Sequence, residues 1–155
     1  MNMIRDVQDW AIEKGIYRKS TATTQATMMY IELGEFADAM LKDSPDVEKQ
    51  TELGDVIVCL INYLTMMERA DDLKQLNRTL NNYHTPNSND SYSNSDLLVG
   101  FMYADDTTTF IRSFIPMYAR AVNSTPVECL RLAYNKIINR TGKMINGKFV
   151  KSTDL

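Results

Sequence analysis

Apolar residues recur along most of this chain at intervals of three and four, the spacing of one helical face. Between Asn2 and Lys14 the pattern predicts a first helix, stopped by Gly15 and anchored by Trp10 with Ile16 or Tyr17. A second starts between Ser20 and Thr24 and runs through Lys42, with Met28, Met29, Leu33, Phe36, Ala39 and Met40 as its apolar positions. Asp43-Ser44-Pro45 closes it and opens a third helix, with Ser44 as N-cap and Pro45 at the first helical position, reaching about Arg69. Leu73, Leu76 and Leu80 carry a helix past Ala70, and Asn81 to Ser95, rich in Asn and Ser and containing Pro86, reads as a loop. Asp96 to Tyr103 and Thr107 to Val122 read as helices, with Pro116 expected to kink or break the second. Thr125, Pro126 and Glu128 open the last helix as cap, first residue and capping-box acid, and it ends near Arg140-Thr141-Gly142. In the tail, Lys143-Met144-Ile145 and Phe149-Val150 flank a turn at Gly147, the pattern of a small hairpin. The expected fold is all-α: one domain over residues 1–155, an antiparallel helical bundle with a polar insertion at about 71–123.

Val56 to Met67 is apolar on nearly every side, so both flanks of its helix need cover. The chain's own bundle covers one; a second subunit is the simplest cover for the other, which predicts at least a homodimer. A chain of 155 residues buries a core unaided, and a net charge of −3 argues against a nucleic-acid-binding surface. Cys59 and Cys129 fall in apolar helical stretches and read as buried thiols. Without a CxxC pair or a His/Cys cluster a zinc site is not expected, and His84, in the polar loop, has no assigned role. The Val56–Met67 run is too short to span a bilayer, and Arg5 and Asp6 interrupt any signal-peptide pattern, so a cytoplasmic location without membrane contact is expected.

Against this ordinary background one phrase is repeated. Glu32-Leu33-Gly34-Glu35 and Glu52-Leu53-Gly54-Asp55 stand sixteen residues apart, and each puts two acids three residues apart on one helical face. If the helices pack antiparallel, four carboxylates converge, and two unit charges about 5 Å apart repel by roughly 3 kcal/mol at an effective dielectric of about 20. Such a set needs cations or protons, and hard oxygen donors in this number suit Mg²⁺ or Mn²⁺. The other acid pairs at this spacing, Asp6/Asp9, Asp43/Asp46 and Glu68/Asp71, read as solvated surface pairs, whereas Glu32, Glu35 and Asp55 sit on or beside faces that want to be buried. Salt bridges from Lys42 or Lys49 are the ordinary alternative to a metal. Gly34 and Gly54 each cost a helix nearly 1 kcal/mol relative to alanine, which close approach of a helix or ligand would explain. Asn62, two turns beyond Asp55, needs partners if buried: either an interhelical hydrogen bond or the sugar or base of a ligand. Lys136 and Arg140 share a face near the end of the last helix, beside Asn135, Asn139 and Lys143. They either complement the helix C-terminus or clamp phosphates. One of the acids, with Glu35 the first choice, could take a proton from an attacking water. No Ser-His or Cys-His arrangement and no glycine-rich phosphate loop is present.

Glu32, Glu35, Glu52 and Asp55 form a Glu-x-x-Glu, spacer, Glu-x-x-Asp series that resembles the signature of the MazG-like all-α nucleoside triphosphate pyrophosphatases. Gln25, Gly34-Glu35-Phe36-Ala37, Leu53-Gly54-Asp55-Val56-Ile57 and Asn62 are similar too. The stretches from Pro126 to Ile137 and from Arg140 to Val150 resemble the bacteriophage branch, and the likeness covers roughly residues 22–67 and 124–151. It implies hydrolysis of a nucleotide between its α- and β-phosphates to the monophosphate and pyrophosphate. It further implies Mg²⁺ on the four acids, phosphates on Lys136 and Arg140, dimers or tetramers, and, for a phage product, the host cytoplasm. The longer, more polar segment 71–123 departs from the pattern. Hydrolysis of an alarmone such as ppGpp is a second enzymatic reading, and a non-catalytic helical module binding a host factor is a third.

Overall fold

Local capping chemistry sets the element boundaries. The computed structural model describes residues 2–81 and 106–155. Asn2 accepts from the Arg5 N–H and opens α1 (Met3–Glu13), and Gly15, at φ 76, turns the chain into α2 (Ile16–Lys19), a single turn that the apolar spacing does not predict. Thr21 accepts from the Thr24 N–H at the start of α3 (Ala22–Leu41). α4 (Asp46–Met66) and α5 (Ala70–Asn81) follow. α6 (Thr107–Thr109) passes through a π-helical turn, Phe110–Phe114, into α7 (Ile115–Ala121). Thr125 caps α8 (Pro126–Ile138), and β1 (Gly142–Ile145) pairs antiparallel with β2 (Lys148–Lys151). The fold is an all-α helical bundle with one small hairpin. The expected helix Asp96–Tyr103, Pro86 and His84 lie outside the described residues.

Two departures from the sequence pattern have local causes. α3 closes on Asp43, at φ 49, with the Ser44 N–H donating to the Ala39 carbonyl. Ser44 thus belongs to the end of α3, and Pro45, not Ser44, occupies the N-cap of α4. At Pro116 the helix is neither ended nor sharply broken. It widens instead: the Ile115 N–H donates to the carbonyl of Phe110, five residues back, which relieves the clash a proline ring makes in an ordinary turn. The capping box of α8 is half made, because Glu128 pairs with Arg131 rather than reaching back to Thr125.

α4 lies at the centre. α3 and α8 pack along it most extensively, and α1, α5 and α7 complete the enclosure. Val56, Ile57, Leu60, Ile61 and Leu64 are all but inaccessible. This removes the basis on which a second subunit was expected, because the chain's own helices cover α4 on both flanks. The described parts of segment 71–123 share in that work. Leu76 and Leu80 of α5 meet Phe110 and Ile111, and Ile115 and Tyr118 join the same core, so these parts are amphipathic rather than simply polar. Among the described residues no helix is long and apolar enough to cross a membrane.

The two glycines of the repeated phrase have different surroundings. A Cβ on Gly54 would lie 2.0 Å from the Cys129 carbonyl oxygen and 2.7 Å from Ala133 Cβ, so glycine is what lets α8 approach α4. A Cβ on Gly34 would meet nothing within 4 Å. The close approach expected at both positions is found only at Gly54. Gly54→Ala is therefore expected to lose at least about 1–3 kcal/mol by overpacking, whereas Gly34→Ala gains up to about 1 kcal/mol of helix propensity. Urea denaturation of the two variants checks both signs.

Candidate functional site

The turn between α3 and α4 is short, so the helices run antiparallel and their acids face each other in pairs, Glu32 with Asp55 and Glu35 with Glu52. Glu32, Glu52 and Asp55 each place one carboxylate oxygen within 4.8 Å of the others. Asp55 is buried, and Glu32 and Glu52 are half-buried. Glu35 is exposed and lines a separate, open depression with Ile31, Asp38, Glu48 and Glu52. The four expected ligands thus divide into three that converge and one beside them.

Charge repulsion and burial act together on this group. Burial pushes the Glu32 carboxyl up to about 7, aided by the charges of Asp55, Glu35 and Glu52 and opposed by Lys136. Glu52 is also raised, chiefly by burial, with Lys136 opposing and Asp55 and Glu35 reinforcing. Glu35 lies beside Glu52, and the buried Oε2 of Glu52 has no donor. Lys136, at the end of α8, donates to Asp55 Oδ2 at 2.5 Å. Lys42 and Lys49 play no part: Lys42 pairs with Asp38, and Lys49 with Asp43 and Asp46. Three hard oxygen donors, one of them buried without a partner, fit a divalent cation such as Mg²⁺ or Mn²⁺.

Beside the acids a cavity of about 90 Å³ opens between α1, α3, α4, the end of α8 and the hairpin. Glu32 and Asp55 line one side, and Arg140 and Lys148 bring positive charge to it. Gln25 and Asn62 add buried amides, while Trp10, Met28, Ile137 and Phe149 add apolar wall. Asn62 Oδ1 accepts from the Tyr17 hydroxyl at 2.9 Å, and burial raises Tyr17 to about 12, which keeps that donor protonated. Asn62 therefore has a fixed orientation in a cavity wall. Asn135 is exposed and lines neither hollow. Cys59 lines the cavity as a buried thiol whose ionisation is suppressed, and Cys129 is buried away from it.

Sequence reasoning treated Trp10 only as a packing anchor and gave Lys148 and Phe149 no role. For Gln25 a signal existed: it lies seven residues before Glu32, two turns along the same face. For the hairpin residues there was none, since their place depends on contacts distant in sequence. Of the acid pairs read as solvated, Asp9 pairs with Arg5 and Asp71 with Lys74, but Asp6 Oδ2 is buried without a partner. No protein-family model, curated protein or solved structure matches the chain.

The raised Glu32 carboxyl fixes a pH response. The folded chain holds a proton there that the unfolded chain releases above about 4.5. That contribution to stability is complete below the unfolded pKa and is lost as pH rises through about 7. In chelator, the melting temperature is expected to fall more steeply between about pH 5 and pH 7 in the wild type than in Glu32→Gln. Mn²⁺ should raise the wild-type value near neutrality and have less effect near pH 5, where a proton occupies Glu32.

Proposed function

We propose that the protein hydrolyses nucleoside triphosphates in the presence of Mg²⁺ or Mn²⁺, releasing a monophosphate and pyrophosphate, as its resemblance to the MazG-like pyrophosphatases implies. The observation that carries this reading is the meeting of Glu32, Glu52 and Asp55 within 4.8 Å, at a cavity that Arg140 also lines. Metal carboxylates beside fixed cations are the complement of a polyphosphate, whose charge is the main obstacle to attack by water.

Glu32, Glu52 and Asp55 would hold a divalent ion, which would supply positive charge to phosphate oxygens and make nearby water more acidic. The remaining work falls to side chains. Arg140 has no ion pair among the described residues and presents a planar fork suited to phosphate oxygens. Lys136, held at Asp55, adds a second cation at the edge of the acid group. Glu35 stands apart from the converging three and is the acid assigned to accept the proton of the attacking water. Asn62, oriented by Tyr17, and the apolar wall would meet the sugar or base. Asn135 falls outside this assignment. Self-association belongs to the same reading, and it has to use exposed apolar positions such as Ile31, Leu41 and Val47 rather than the buried middle of α4.

Incubation with each ribo- and deoxyribonucleoside triphosphate in Mg²⁺, followed by assay of pyrophosphate, tests the activity. Release is expected from at least one nucleotide, with kcat lowered about 10²-fold or more in Glu35→Gln. Asp55→Asn should abolish both release and the Mn²⁺-dependent rise in melting temperature. If the folded protein liberates pyrophosphate from no nucleotide, the proposal fails. Turnover of ppGpp alone would transfer it to the alarmone.

A further inference from the structure

The C-terminal hairpin is remote in sequence from the acids, yet Lys148 and Phe149 line the cavity that Glu32 and Asp55 line. Several contacts hold it there. The Phe149 ring meets Trp10 edge to face, with centroids 6.3 Å apart and planes at 64°. Gly142 makes room for that ring, since a Cβ there would lie 2.9 Å from Phe149 Cζ and 2.1 Å from the Val150 carbonyl oxygen. At the tip, Asn146 and Gly147 turn at φ 50 and φ 80, the pair of positive angles that a tight two-residue hairpin turn requires. This sets Gly147 against the α2–α3 junction, where a Cβ would be 3.7 Å from the Lys19 carbonyl oxygen and from Thr24 Oγ1. At the base, the Ser152 N–H donates to the Thr141 carbonyl at 2.8 Å.

Two polar groups in this wall lack partners. Lys148 has no ion pair among the described residues. Trp10 is 8 % exposed, lines the cavity, and its Nε1–H has no acceptor. A buried donor left unmet costs about 1–3 kcal/mol, a cost that a ligand's acceptor removes. Phe149 links the two, packing on the indole while adjoining Lys148 in β2.

Resting on the function proposed above, the geometry points to the hairpin as a wall of the substrate site: Lys148 is a substrate-binding cation that acts with Arg140 on the polyphosphate, and Phe149 positions both Lys148 and the Trp10 donor. The hairpin is then a binding element rather than a terminal ornament. Lys151 provides the internal control. It is exposed on the same strand, paired in register with Gly142, and does not line the cavity.

Calorimetric titration of the full chain with inorganic tripolyphosphate in Mg²⁺ tests the assignment. Lys148→Gln is expected to weaken binding about tenfold or more, the usual effect of losing a charged hydrogen bond. Lys148→Arg should retain most of the affinity, and Lys151→Gln all of it. Because Lys148 is exposed, its variants should melt with the wild type. On a nucleotide that the wild type cleaves, Lys148→Gln should raise KM while leaving kcat within about twofold. Equal tripolyphosphate affinity in Lys148→Gln and wild type, or an equal loss in Lys151→Gln, overturns the role of the hairpin while leaving the hydrolase reading intact. A wild type that neither binds tripolyphosphate nor releases pyrophosphate overturns both.

Discussion

The central helix has to be covered on every side and still carry acids. α4 is surrounded by α1, α3, α5, α7 and α8, and its middle is nearly all aliphatic. Into that surface it brings Glu52, Asp55 and Asn62, each of which loses water when the bundle closes. Isolated charges cannot be buried in this way without compensation. The structure compensates locally: Lys136 reaches Asp55, Tyr17 reaches Asn62, and the raised Glu32 and Glu52 carboxyls ease the repulsion by holding protons more tightly. One atom, Glu52 Oε2, is left over. Glu52 and Asp55 therefore gather next to the stretch of α3 that carries acids of its own.

Close packing and charge are linked through Gly54. Its missing side chain brings the Cys129–Ala133 segment of α8 against α4, and the same approach places Lys136, one turn further on, beside Asp55. The phrase Glu-Leu-Gly-Asp thus contains both a carboxylate and the means of bringing its counter-ion near. Its partner phrase in α3 works differently. Gly34 faces open space, and Glu35 lies outside the three-acid cluster. The repetition is exact in spacing but not in physical role.

Much of the fold was legible because capping and periodicity are short-range. Thr21, Thr125, Gly15 and the Asn146-Gly147 turn act within a few residues, and the helices they bound fall within a few residues of where the apolar pattern places them. The misreadings are also short-range, but they involve competition. Ser44 could serve α3 or α4, and the left-handed Asp43 decided for α3. Pro116 could end a helix or widen it, and its position within the core favoured continuity. The convergence of Glu32, Glu52 and Asp55 followed from spacing once the two helices were taken as antiparallel. The choice of Lys136 over Lys42 and Lys49, which are nearer in sequence, did not, because those two pair with Asp38, Asp43 and Asp46 close by in the chain.

What the chain alone determined is the set of elements and the chemistry each one carries, since helix periodicity, caps and the hairpin turn depend only on neighbouring residues. Tertiary structure decided which of those groups meet. It covered α4 from within, left Glu35 beside Glu52 but outside the three converging acids, and brought Trp10, Arg140 and Lys148 from opposite ends of the chain to one cavity. Such meetings depend on how whole faces pack and on where a missing Cβ lets backbones close, and no window of adjacent residues contains that information.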